Sequence, residues 1–128
     1  MKKSLTLTLV SLSLSGWLAP AFALEIAPYS SEVFAAKQQA GERVSLHFHA
    51  AWCPTCRAQD KVFEKLKGDA SVPGTLLQVN YDTERDLKRE MNVRSQATLI
   101  VFQGKTQVHR SGGVTEAESL RTALKTPR

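Results

Sequence analysis

Cysteine is scarce in this chain. Cys53 and Cys56 are the only two among 128 residues, so no lattice of disulfides can hold the fold and one hydrophobic core must. Long apolar runs are also missing. The stretch from Leu5 to Leu18 is interleaved with Ser and Thr, and it is short for the roughly 20 residues a membrane helix needs. Repeats, low-complexity tracts and linkers are absent, which leaves a single domain. Lys and Arg number 17 against 12 Asp and Glu, a formal charge of +5 spread along the chain. A nucleic-acid surface needs its positive charge gathered into a patch or stripe, and none is present. No nucleic-acid partner is expected, and a monomer is.

What the chain does have begins with an export pattern. Lys2 and Lys3 precede the weakly apolar run, and Pro20 precedes Ala21-Phe22-Ala23, a small-x-small cleavage site. This reads as a secretory signal peptide over residues 1–23, leaving residues 24–128 as the mature domain. No cysteine stands just after the cleavage site, so a lipid anchor is not expected. Loss of the two lysines lowers the formal charge to about +3, which suits a protein that meets acidic partners or an anionic membrane face.

The remaining order is β-α-β-α-β-α-β-β-α. A short edge strand over Leu24–Pro28 leads to a helix capped by Ser30 or Ser31 and stopped by Gly41. Val44, Leu46 and Phe48 then alternate with Ser45, His47 and His49 in a strand ending near Ala50. A second helix starts around Cys53, with Pro54 in its first turn, where a missing N–H costs nothing. Its buried stripe is Val62, Phe63 and Leu66, and its wet face holds Arg57, Asp60, Lys61, Glu64 and Lys65. A strand over Thr75–Tyr81 follows, and then a helix capped by Asp82 or Thr83. The strand Thr98–Phe102 turns through Gln103-Gly104-Lys105 into a hairpin with Thr106–Arg110. Thr115 and Glu118 make a capping box for the last helix. Alternation in the first half implies parallel strands with crossover helices, and the second half adds an antiparallel hairpin.

Against this pattern stands Trp52-Cys53-Pro54-Thr55-Cys56, at the junction of strand and helix. A disulfide closing so short a loop removes little chain entropy, so the pair makes better sense as redox chemistry than as a staple. With Ala51-Trp52 before the cysteines, Val79-Asn80-Tyr81-Asp82, Thr98 to Gly104 and Gly113, the chain resembles the thioredoxin-like family over nearly the whole mature region. The resemblance implies an α/β thioredoxin-like fold, a central mixed sheet of four to five strands with helices on both faces. It also implies a protein-disulfide oxidoreductase. Cys53, at a helix N-terminus that favours a thiolate, is the nucleophile, and Cys56 is the resolving thiol. Trp52, Pro54, Thr55, Ala97 and Thr98 would shape the redox poise and the substrate contact. The redox-active Cys53–Cys56 disulfide would be the only prosthetic element.

Three positions depart from the family pattern. The buried acid six residues before the first cysteine is His47, a candidate proton acceptor for Cys56. The tryptophan two residues later is His49. The cis-proline before Thr98 is Ala97, before which a trans bond or a strained one is expected, because a cis bond there costs about 2.5–4 kcal/mol. Two other function classes fit the same residues. A zinc or copper(I) carrier or sensor could use Cys53, Cys56, His47 and His49, although Cys53 is expected to face outward and the histidines to lie below the helix. An inert thioredoxin-like interaction domain is the other. The leading expectation is an exported reductant of the bacterial periplasm. It would draw electrons from a membrane thiol carrier and act on disulfide- or thiol-containing exported proteins.

Overall fold

The computed structural model describes residues 23–125. Apart from Ala23, the expected signal peptide lies outside the described residues. Five strands form one sheet: β1 Glu25–Pro28, β2 Arg43–His49, β3 Thr75–Asn80, β4 Thr98–Gln103 and β5 Thr106–Gly112. Their spatial order is β1-β3-β2-β4-β5. β3 runs parallel to β1 and β2, whereas β4 is antiparallel to β2 and β5. The four helices among the described residues are α1 Ser31–Gln39, α2 Pro54–Leu66, α3 Arg85–Glu90 and α4 Ala117–Lys125. The sheet is therefore mixed, as expected from the sequence, with β2 at its centre.

Alternation along β2 sorts the molecule into two cores. Val44, Leu46 and Phe48 turn to one face, where they meet Leu77, Val79, Ile100 and Phe102 under Phe34 of α1 and Leu87 of α3. The opposite face carries Leu76, Leu99 and Val101, covered by Phe63 and Leu66 of α2 and by Leu120, Ala123 and Leu124 of α4. Ser45, His47 and His49 alternate onto that second face. The two histidines lie under α2, as their register predicts.

Several boundaries differ in informative ways. Ser30 caps α1 as expected, accepting from the Val33 N–H. For α3 neither Asp82 nor Thr83 is the cap; Glu84 holds that position without a side-chain bond. Asn80 already accepts from the N–H groups of Asp82 and Thr83, so the turn is closed before the helix starts. At α4 the Glu116 carboxylate accepts from the N–H groups of Glu118 and Ser119, replacing the box expected of Thr115. A longer acidic side chain reaches both free donors and also complements the positive end of the helix. Val62 is only partly buried in α2, and the buried stripe is Cys56, Gln59, Phe63 and Leu66.

Gly74 shows why the loop before β3 needs glycine. Its φ is +92°, and a Cβ there would lie 2.5 Å from the Arg43 carbonyl oxygen. Gly74→Ala should cost about 2 kcal/mol or more, from left-handed backbone strain and that clash together. Urea unfolding checks this, and an unchanged midpoint would contradict it.

Candidate active site

The site is built at the end of β2, where the chain leaves the sheet and starts α2. Cys53 is the N-cap of that helix, with φ −89° and ψ 111°, and Pro54 fills the first turn. The Cys56 N–H donates to Cys53 Sγ at 3.1 Å. A sulfur in this position meets a helix donor that has no intrahelical partner, an arrangement that favours negative charge on it. Both cysteines are free thiols. Their exposures are 2% for Cys53 and 0% for Cys56. The outward-facing Cys53 expected from the sequence is thus corrected, because in turning to accept the Cys56 N–H its side chain folds back over the helix end. There it joins Ala50, Cys56 and Ala97 in a small cluster edged by Tyr81.

Burial sets the state of the deeper thiol. Burial pushes the Cys56 thiol up to about 11, and a hydrogen bond with the Cys53 side chain adds to the rise. Backbone groups of Ala50 and Ala97 act in the opposite direction. Cys56 is accordingly the thiol that keeps its proton until something removes it.

Around the pair, Trp52 is 57% exposed, and its indole N–H donates to Asp82 Oδ2 at 2.9 Å. It is a rim residue held in one orientation rather than a core aromatic. Pro54 is exposed and Thr55 half-buried at the start of α2. Thr98 is buried and donates its hydroxyl to the Ser95 carbonyl at 2.8 Å. Ala97, in the place of the family proline, follows a trans peptide bond and has φ +61°. A residue with a Cβ in that region carries roughly 1–2 kcal/mol of strain. Both ends of Ala97 are tied. Its N–H donates to the Phe48 carbonyl at 2.8 Å, and its carbonyl accepts from the Gly113 N–H at 3.0 Å.

Beneath the thiols lies a polar seam whose helix side the sequence did not reveal. His47, fully buried on β2, shares a 2.8 Å hydrogen bond with Gln59 Oε1 of α2. Gln59 is 1% exposed and donates to the carbonyls of Ala97 and Val114 at 3.1 and 2.8 Å. Asp60, assigned to the wet face on charge alone, turns partly inward instead. Its Oδ2 is 2.7 Å from His49 Nε2, its Oδ1 is 3.7 Å from His47 Nδ1, and Oδ1 also accepts from the Gln78 amide. His47 Nδ1 and His49 Nε2 have no aligned hydrogen bond, and Asp60 acts on His47 through its charge. Gln59 and Asp60 sit three and four residues after Cys56, on the helix face over the Ser45-His47-His49 row. Unmatched histidines in a buried strand were the signal that polar partners had to come from this face.

Two expectations meet this geometry. His47 is a candidate proton acceptor for Cys56; its Nε2 is engaged by Gln59, its Nδ1 faces Asp60, and Gln59 joins it to the Ala97 loop at the thiols. The four candidate metal ligands are not gathered in one place. Among the described residues, no group of three His, Cys, Asp or Glu side chains could hold an ion. The thiols pack on Ala97, while the histidines turn to Gln59 and Asp60.

Comparison with known proteins identifies the family. The Thioredoxin family model matches residues 25–126. The chain belongs to the thioredoxin family. The crystal structure of Trxlp from Edwardsiella tarda EIB202 is 30% identical and superposes with a TM-score of 0.74, covering 78% of this chain and 98% of that one. Thioredoxin 2 of Plasmodium falciparum is 29% identical over 82 residues, which is 64% of this chain and 52% of that protein. A peptide-N(4)-(N-acetyl-beta-glucosaminyl)asparagine amidase of Caenorhabditis briggsae is 29% identical over 89 residues, 70% of this chain. The chain spans about half the length of the first of these two curated relatives and 15% of the second. As a thioredoxin family member, this chain carries Cys53 and Cys56 as its C-x-x-C pair.

The seam makes stability depend on pH. The pKa of His47 is lowered from 6.5 to about 4, chiefly by burial with a smaller push from the nearby His49, while Gln59 and Asp60 act in the opposite direction. Between these values the unfolded chain binds a proton that the native chain does not. The stability contribution is therefore complete above pH 6.5 and is lost as pH falls toward 4, by about 3 kcal/mol. Urea unfolding at pH 7 and pH 4 should show a smaller difference for His47→Asn than for the wild type. Equal differences would contradict this assignment.

Proposed function

We propose that this protein is an exported thiol–disulfide oxidoreductase that reduces disulfides in other exported proteins. The observation that carries the proposal is the Cys53 sulfur held at the N-terminus of α2 with the resolving thiol one turn deeper. In the proposed reaction the Cys53 thiolate attacks one sulfur of a substrate disulfide. The substrate S–S bond breaks, an intermolecular S–S bond forms, and the departing substrate thiolate takes up a proton. Cys56 then loses its proton and attacks Cys53 Sγ. This closes the Cys53–Cys56 disulfide and releases the second substrate thiol. Two electrons pass from the pair to the substrate.

The difference between the thiols supports this order. Cys53 meets a helix donor, whereas Cys56 is pushed up to about 11 by burial and by Cys53. Once Cys53 is tied up in the mixed disulfide, its contribution to that rise disappears and Cys56 becomes easier to ionise. Trp52, Pro54, Thr55, Ala97 and Thr98 form the rim and floor on which a substrate segment would lie. The signal pattern at residues 1–23 supports a periplasmic location. There a membrane thiol carrier would return the oxidised pair to the dithiol.

With insulin as the disulfide substrate and dithiothreitol as the electron source, the wild type should accelerate reduction. Cys53→Ser should lose at least about 100-fold of the activity. Cys56→Ser should still attack and accumulate a mixed disulfide, visible on a non-reducing gel and absent in the Cys53→Ser/Cys56→Ser double variant. Equal activity in the wild type and Cys53→Ser would overturn the proposal. The exported protein should begin at Leu24 by intact mass, and retention of residues 1–23 would overturn the export part.

A further inference from the structure

The thiol reaction as described leaves one buried side chain unused. Gln59 lies one turn below Cys56 on the buried face of α2, 1% exposed, and all of its partners come from other elements. Two of those partners are main-chain carbonyls, of Ala97 and Val114. A carbonyl can only accept, so the carboxamide must present its NH₂ to both. That fixes Oε1 toward His47, and since an amide oxygen can only accept, His47 Nε2 must carry the proton. The orientation of Gln59 therefore follows from chemistry alone, and β2 locks it from behind.

The contact with Ala97 is the consequential one. Ala97 holds φ +61°, a conformation that an alanine disfavours, and it packs directly on Cys53 and Cys56. Its carbonyl already accepts from Gly113, and Gln59 takes the second lone pair. Val114, the other acceptor, lies in the chain just beyond Gly113. One side chain from the helix that bears the thiols thus ties down both segments that line the loop facing them.

We propose that Gln59 is a positioning residue for disulfide exchange, holding the Ala97 loop in its left-handed conformation against the Cys53–Cys56 pair so that the surface presented to a protein disulfide is preformed. The proposal rests on the oxidoreductase reading for its kinetic consequence and on the geometry alone for its structural one. Without the two donated hydrogen bonds, Ala97 relaxes toward a commoner backbone conformation and the docking surface must be ordered anew by each substrate. The cost then falls on binding. The backbone contribution of Ala97 that holds the Cys56 thiol down weakens as well.

Gln59→Met keeps the length of the side chain and removes every hydrogen bond. Gln59→Glu keeps the acceptor toward His47 and, when ionised, removes both donors. Each is examined by thermal melting, by the Ala97 HN–Hα coupling constant, which reports φ, and by insulin reduction. In whichever variant remains folded, the Ala97 coupling should leave its left-handed value. KM for insulin should rise about tenfold, the effect of losing two ordinary hydrogen bonds, with a smaller change in kcat. A lower melting temperature with the Ala97 coupling and KM of the wild type would overturn the proposal and leave Gln59 as a packing residue. A loss confined to kcat would overturn it as well. A wild-type protein that fails to reduce insulin contradicts the oxidoreductase reading instead, and the coupling constant then decides whether Gln59 positions the loop.

Discussion

The Cys56 N–H points at the Cys53 sulfur across 3.1 Å, and that contact depends on where α2 begins. The start of α2 is set by two requirements. Phe63 and Leu66 must reach the core on the second face of the sheet, and β2 must run as far as His49 before the chain can turn. With both ends so constrained, Cys53 falls at the N-cap and Cys56 one turn inside. Pro54 fits between them because a first-turn residue needs no N–H partner. The environment of Cys53 is thus a by-product of helix-on-sheet packing, and the same packing excludes water from Cys56.

The seam between β2 and α2 is the other half of that interface. An apolar strand face would have packed under α2 with less constraint, but Ser45 and His47 put polar groups where solvent does not reach, and the half-buried His49 continues the row. Buried polar atoms without partners are costly, so α2 answers with Gln59 and Asp60 at the matching turn. The thioredoxin pattern places a buried acid under the thiols. In this chain that strand position is the neutral His47, and a carboxylate comes instead from the helix as Asp60. Charge is thereby moved outward by one layer, and an amide stands between the histidine and the loop at the thiols.

The main lines of this arrangement were legible in the sequence. The alternation of Val44, Leu46 and Phe48 with Ser45, His47 and His49 placed β2 and its two faces. The C-x-x-C spacing after a strand placed the thiols. What the sequence hides is which partner a polar side chain takes. Charge on a helix usually marks a solvated face, yet His49 and Gln78, which meet Asp60, come from strands 11 and 18 residues away. Gln59 carries no periodic signal, since an amide suits either face of a helix. The inward turn of Cys53 depends on side-chain rotation, and Glu116 displaces Thr115 for a similar reason of reach.

The central claim is that Cys53 and Cys56 act as one two-electron couple at a reducing potential. Equilibrating the protein with mixtures of reduced and oxidised glutathione, and measuring the fraction of the Cys53–Cys56 disulfide by mass, tests it most directly. A reversible two-electron transition near the thioredoxin scale of about −270 mV is the expected result. A transition near −120 mV would make the protein an oxidant, and a pair that forms only glutathione adducts without an internal disulfide would contradict the account altogether.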